Sequence, residues 1–428
     1  MTSGSGTSGG GDAEPHLHDR SDSRQLIDAT QASERLGVKP ATLYAYVSRG
    51  RIHRHRRAGS RVSWFDPVEI DALKRGRAAS PGLELTVLSS ITNIAEDRLW
   101  YRGMDATALA GTVPFEAVCS LLWTGGLDYE AFVAPGDTVD VVRRTVAHLG
   151  SEARLIDRLG FAVAVAASTD PLRFDLSSEA VTDSGRRLIA VLVASLPPLR
   201  SAIPELRRAG DALGRDSVAA QLWTRLAPQR MDGGVAILNA ILILLADHEL
   251  ATSTLAARVA ASTRANPYAA VSAALGVFDG PLHGTASAEV VALLNDAEHT
   301  DARTAIADHL RRGHLLPGFG HRLYRTMDPR AEMMIDLLAP LARRAQGGAE
   351  RLAIALAVRS AAAGKSRSFP NSDFGLGAFT FVTGMPADAG EAIFAIARVA
   401  GWVAHTLEEY DAAPLRFRSR AVYTGEMP

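Results

Sequence analysis

The chain has 428 residues, 47% of them hydrophobic and 22% charged, with a formal net charge of −1. That length and composition suit a globular chain with a substantial core, divided into two or three domains or into one large and one small. Near-neutrality gives the whole no electrostatic bias toward nucleic acid or membrane. The lone Cys119, in Ala-Val-Cys-Ser-Leu-Leu, excludes an intrachain disulfide, suits a reducing compartment and reads as a small buried side chain.

Residues 1–23 are a Gly/Ser-rich leader with too little apolar surface to order itself, and they lack the apolar stretch of a signal peptide. The apolar run Val235–Ala246 stops at Asp247-His248-Glu249, short of the roughly 18 residues a membrane span needs, so it reads as a buried helix. The expectation is a soluble, cytoplasmic protein with no membrane partner.

Residues 24–78 differ in character. They carry twelve Lys and Arg against five Asp and Glu, a net of +7, which places a domain boundary near Ala79-Ser80-Pro81-Gly82. Asp28 and Gln31 have the spacing of a capping box, Ala32, Leu36 and Val38 supply an apolar side, and Gly37 permits a tight turn. A second helix is predicted from Pro40 to Arg49, then a hairpin from Arg54 to Phe65 turning at 58–60. A further helix starts at Asp66-Pro67. This order resembles a winged helix-turn-helix of the MerR/excisionase type. The resemblance implies DNA contact through Thr42, Tyr46 and Arg49 on the second helix and through the wing arginines Arg56, Arg57 and Arg61. A module that only docks on protein is the alternative.

From Pro81 onward apolar residues recur at helical spacing, as in the Ala-rich segments 253–261, 349–363 and 390–409. Short strands are expected only near Leu85–Val87 and Leu99–Tyr101. Three of the twelve histidines stand in unusual settings: His248 after the apolar helix, His283 in Gly-Pro-Leu-His-Gly, and His321 in Pro-Gly-Phe-Gly-His-Arg. Their separation lacks metal-ligand spacing, so no metal site is expected.

Those segments, with Asp328-Pro-Arg330, Pro370-Asn-Ser-Asp-Phe374, Arg398 with Gly401-Trp402, and Arg418-Ser-Arg420, resemble the signatures of the citrate synthase family over roughly residues 81–425. The resemblance implies a mainly α fold of large and small helical domains over 81–428, the small one near 285–395, preceded by the helix-turn-helix. It implies condensation of acetyl-CoA with oxaloacetate in a homodimer, with acetyl-CoA as substrate and no resident cofactor.

In such an enzyme a carboxylate must remove a weakly acidic methyl proton while a donor meets the thioester oxygen. By resemblance Asp373 is the base, His283 that donor, and His321 polarises the ketone. His248, Arg330, Arg398 and Arg418 hold the 2-oxo diacid, Arg418 from the neighbouring subunit. Leu316, Gly318, Gly320, Lys365 and Arg367 are candidates for CoA contact. The likeness departs at Thr285, Ser287, Ala251, Ser419 and Gly375-Leu376-Gly377, beside the catalytic groups. Two alternatives follow: a 2-methylcitrate synthase using propionyl-CoA, or a DNA-binding regulator whose synthase-like domain is a silent sensor.

Overall fold

The computed structural model describes residues 26–48, 52–56, 62–67, 69–71, 86–150, 152–197, 216–281, 283–363 and 369–417. The chain divides into two compact units, Met1–Thr86 and Val87–Pro428.

The first unit holds two short helices and a three-stranded sheet. Strand β1 (Ile27–Asp28) runs into α1 (Ala29–Leu36), where Asp28 Oδ1 accepts from Gln31 N at 2.9 Å and Gln31 Oε1 accepts from Asp28 N at 3.2 Å. That reciprocal capping box fixes the start of the helix. Gly37, at φ +64°, ends it, and α2 (Pro40–Ser48) follows. Strands β2 (His55–Arg56) and β3 (Ser63–Phe65) pair antiparallel, and the sheet order is β1-β3-β2. Ala32, Leu36, Leu43, Ile52, Phe65 and Ile70 close a small core between the helices and sheet. The tip expected at 58–60 lies outside the described residues, as do the leader and Arg49.

The second unit opens with a meander of β4 (Thr92–Ala95), β5 (Arg98–Tyr101) and β6 (Met104–Asp105). Among the described residues the first strand of this unit is Thr92–Ala95, which pairs with β5 although it lacks an alternating apolar pattern; Thr86 and Val87 are in no strand, and Leu85 lies outside the described residues. Asp105 accepts from Thr107 N and Ala108 N and caps α3 (Ala106–Ala110). The chain continues through α4 (Phe115–Thr124), α5 (Gly136–Ala147), α6 (Leu155–Thr169), α7 (Ser178–Ser195) and α8 (Val218–Leu226). Next come α9 (Gly234–Leu245), α10 (Thr252–Ser262), α11 (Pro267–Phe278), α12 (Ala286–His299) and α13 (Ala302–Arg311). The last four are α14 (Pro329–Ala342), α15 (Gly348–Ala362), α16 (Ser372–Thr383) and α17 (Ala389–Tyr410).

Helix α17 is the axis of this unit. Twenty of its 22 residues are buried, and α4, α6, α7, α9, α10 and α11 pack around it. Enclosure on nearly every side stabilises this helix, since each fully buried Leu, Ile or Val contributes about 1.5–3 kcal/mol. Helices α12 to α16 pack chiefly on one another. Close approach at the centre requires glycine: a Cβ on Gly401 would lie 2.2 Å from Asp247 Oδ1. Cys119 is fully buried on α4. No described helix is long and apolar enough to cross a membrane.

Candidate active site

His321 follows a loop that only glycine can form. Gly318 and Gly320 both sit at φ +78°, and a Cβ on Gly318 would lie 2.8 Å from the Phe374 Cβ. The loop binds the start of α16: Asn371 N donates to Gly318 O at 2.9 Å, and Asn371 Nδ2 donates to Gly320 O at 2.9 Å. His321 is thereby held beside the helix that carries Asp373. Its Nδ1 accepts from the backbone N–H groups of Leu323 (3.0 Å) and Tyr324 (3.3 Å), which leaves the ring proton on Nε2. His248 packs edge-on to this ring, with centroids 5.0 Å apart, and its Nε2 lies 3.2 Å from the Tyr324 hydroxyl.

His283 occupies the turn between α11 and α12. Its N–H donates to Gly280 O at 2.9 Å, and a Cβ on Gly284 would strike the Phe278 ring at 2.2 Å. The His283 Nε2 is 2.8 Å from Ser253 Oγ, which also accepts from the Trp402 indole N–H at 3.3 Å. Because the indole can only donate, the serine proton is available to His283 Nε2, and the imidazole proton then sits on Nδ1. Burial, then the Arg398 charge, bring His283 down to about 4; burial, then Arg330, bring His321 to about 4. His248 is pushed below its ordinary range by burial and by Arg330. All three rings are therefore neutral hydrogen-bonding groups near pH 7. For His283 the causes are burial and the Arg398 charge; helix α12 starts at Ala286, beyond its Thr285 cap.

Asp328 caps α14, pairs with the Nε (3.0 Å) and Nη2 (2.7 Å) of Arg330, and accepts from Ser372 N at 3.0 Å, so it also ties α14 to α16. Arg398, on α17, donates Nε–H to Leu245 O at 2.8 Å and lies over the Phe394 ring. Among the described residues, Arg330 Nη1 and both terminal nitrogens of Arg398 have no partner, which leaves planar donors for carboxylates. Burial lowers Arg398 to about 10, still charged at neutral pH. Asp373 lies in the first turn of α16 behind its Asn371 cap, and its Oδ1 is buried without a hydrogen-bond partner. Burial raises this carboxyl, Arg330 lowers it, Asp328 raises it and Arg398 lowers it; the balance is about 6.

His248, His283, His321, Arg330, Arg398 and Asp373 thus share one electrostatic neighbourhood. Two groups singled out in the sequence stand differently. Leu316 packs partly buried against the core, and the Gly320 N–H is used by Phe369 O at 2.8 Å. Arg418, Lys365 and Arg367 lie outside the described residues. So do Arg49, Arg57 and Arg61, and the side chain of Arg56. Thr42 is exposed on α2, whereas Tyr46 is half-buried against the small core. Sequence reasoning gave no role to Asp328 or Tyr324, although Asp-Pro-Arg is a helix-start signal.

Beneath the site runs a buried polar chain. Asp247 accepts from the Thr92 hydroxyl and from His405 Nε2 (3.2 Å). His405 Nδ1 accepts from Arg258 Nε at 2.9 Å. Arg258 Nη1 then meets Glu409 at 3.1 Å and Nη2 meets Glu408.

The family model described as citrate synthase, C-terminal domain, matches residues 82–420. The chain belongs to the citrate synthase family. The matched span includes every residue of the site just described. The citrate synthase of Haloferax volcanii is 32% identical, over 77% of this chain and 90% of that protein. The 2-methylcitrate synthase 2 of Corynebacterium glutamicum is also 32% identical, over 77% and 89%. Among solved structures, Thermoplasma acidophilum citrate synthase in ternary complex with carboxymethyl coenzyme A and oxaloacetate aligns with a TM-score of 0.65 and 25% identity. That alignment covers 82% of this chain and 96% of the other. The Pyrobaculum aerophilum citrate synthase aligns at 0.67 and 27%, covering 80% and 91%. The mainly helical second unit is the citrate synthase fold.

Proposed function

We propose that this chain condenses acetyl-CoA with oxaloacetate and water to give citrate and CoA. The observation that carries the reading is Asp373: a half-buried carboxyl near 6 whose Oδ1 is buried without a hydrogen-bond partner, balanced by the charges of Arg330 and Arg398. A base that titrates just below neutrality is ionised at pH 7, yet basic enough to take a proton from a thioester methyl.

In this mechanism Arg330 and Arg398 pair with the carboxylates of oxaloacetate, beside His248, and Arg418 of a second copy completes the grip in a homodimer. Asp373 takes a methyl proton of acetyl-CoA while the His283 N–H meets the thioester oxygen, giving an enol or enolate. Its carbon attacks the oxaloacetate ketone, whose oxygen receives the Nε2 proton of His321. Water then cleaves the citryl thioester to citrate and CoA.

Purified protein with oxaloacetate and acetyl-CoA should release free thiol, and Asp373→Ala should abolish the release. The rate should fall as pH drops through about 6, where Asp373 gains its proton, while His283 and His321, near 4, add no limb above pH 5. Absence of turnover from folded protein, with either acetyl-CoA or propionyl-CoA, would sink the reading. Both citrate and 2-methylcitrate synthases stand among the relatives. The two donors differ by one methylene, worth only about 1–3 kcal/mol, so the better donor in this assay names the enzyme.

The N-terminal unit is, in the same proposal, a winged helix-turn-helix that binds DNA. Its support is the capped α1, the Gly37 turn and an α2 that exposes Thr42 and Tyr44, in a segment of net charge +7. Affinity for duplex DNA should fall steeply between 50 and 200 mM salt, as phosphate neutralisation requires. Thr42→Glu should weaken it further; salt-independent or absent binding would remove this role.

A further inference from the structure

The β4–β5 hairpin turns over only two residues, Glu96 and Asp97, at φ +51° and +56°. Such left-handed turns match the twist of paired strands, and Asp tolerates the conformation better than most side chains. The Asp97 carboxylate reaches across to a distant segment. Its Oδ1 accepts from Arg325 N at 2.6 Å, and its Oδ2 accepts from Thr326 N at 2.9 Å and from the Thr326 hydroxyl. The Thr326 hydroxyl and the neighbouring N–H groups hold the carboxyl below its usual range. Among the described residues Arg325 and Thr326 make no other hydrogen bond.

Residues 322–327 have no helix or strand and join His321 to Asp328 and Arg330. One end is anchored by the Leu323 and Tyr324 N–H groups on His321 Nδ1 and by Tyr324 against His248. The other end is anchored by Asp328 on Arg330 and Ser372. A strand turn thus fastens the middle of the segment that sets the His321 tautomer and presents Tyr324.

We propose that Asp97 is a positioning residue for the condensation: it fixes the backbone at 325–326 and so the placement of His321 and Tyr324 against the 2-oxo acid. The inference rests on the reaction assigned above. Asp97 touches no reacting atom, so its removal acts on one substrate and leaves the proton-abstracting base alone.

The test is steady-state kinetics of Asp97→Ala, Asp97→Asn and Thr326→Val, with oxaloacetate affinity measured separately by calorimetry. Asp97→Ala should raise the KM and Kd for oxaloacetate about tenfold, as loss of charge-assisted bonds at a site implies. The acyl-CoA KM and the acid limb near pH 6 should not move. Asp97→Asn, which keeps the turn and one acceptor, should fall between. Thr326→Val should have a smaller effect, absent when Asp97 is already Ala. Unchanged oxaloacetate affinity in Asp97→Ala would overturn the proposal, as would additive effects of the two sites or equal loss toward both substrates. Oxaloacetate binding without turnover in the unaltered protein would defeat the assigned reaction alone, while the calorimetric arm still reads the role of Asp97.

Discussion

Asp373→Asn should be a nearly inactive protein that is more stable than its parent at pH 8. General-base catalysis accounts for about 100- to 10,000-fold in rate, so turnover should fall on the order of 1,000-fold. The stability gain follows from linkage. The folded carboxyl titrates at about 6, and an unfolded Asp at about 3.9. Below pH 4 the group is protonated in both states and costs nothing. Between the two values the unfolded chain ionises while the folded one does not, and above pH 6 the full penalty is present. Two pKa units correspond to about 3 kcal/mol of penalty, which an uncharged amide removes. Urea unfolding at pH 8 should therefore give Asp373→Asn a larger unfolding free energy by that order, and the gap should close toward pH 4. Equal stability across the range would mean that burial does not hold this carboxyl up, and the case for it as the tuned base would fall with it.

The same features that make the site reactive explain what could be seen in the sequence. Local signals were legible: Asp28 and Gln31 form the capping box their spacing predicts, and Gly37 adopts the left-handed turn. The amphipathic and Ala-rich stretches became α9, α10, α15 and α17 within a residue or so of their expected ends, because a 3.6-residue pattern is local.

What failed was long-range. Thr92–Ala95 is a strand because β5 pairs with it, which no feature of its own four residues reveals. The turn at Glu96–Asp97 has neither glycine nor asparagine, the residues that usually advertise a two-residue hairpin, so the clamp on 325–326 was invisible. Arg258 and Glu409 sit in Ala-rich helices and would pass for solvated positions, yet both are fully buried. Their burial depends on partners about 150 residues away, as the Arg258–Glu409 separation of 151 shows.

Arg258 is where that buried network should be most vulnerable. Its guanidinium serves three acceptors at once: His405 Nδ1, Glu409 and Glu408. Arg258→Met fills the same volume but strands a fully buried Glu409 and removes the donor that fixes the His405 ring. Breaking one side of a buried ion pair costs about 3–5 kcal/mol, far above the loss from deleting an exposed pair. Glu409 keeps Arg416, bonded at 2.7 and 2.6 Å, so the loss should lie toward the lower end. Arg258→Lys retains the charge, but one ammonium cannot reach three acceptors in the plane a guanidinium spans, so it too should destabilise, by less. Adding Glu409→Leu to Arg258→Met should recover much of the deficit, because no buried charge is then left unpaired. The effect should reach the chemistry: because His405 Nδ1 accepts from Arg258, its proton sits on Nε2 and braces Asp247, and His248 follows Asp247 directly in the chain. Oxaloacetate KM in Arg258→Met, measured well below its melting temperature, should rise while the acyl-CoA KM holds. Unfolding free energies from urea melts within about 1 kcal/mol of the parent for all three variants would show that the network adds nothing beyond well-packed apolar side chains. The strut beneath His248 would then be the apolar enclosure of α17 alone.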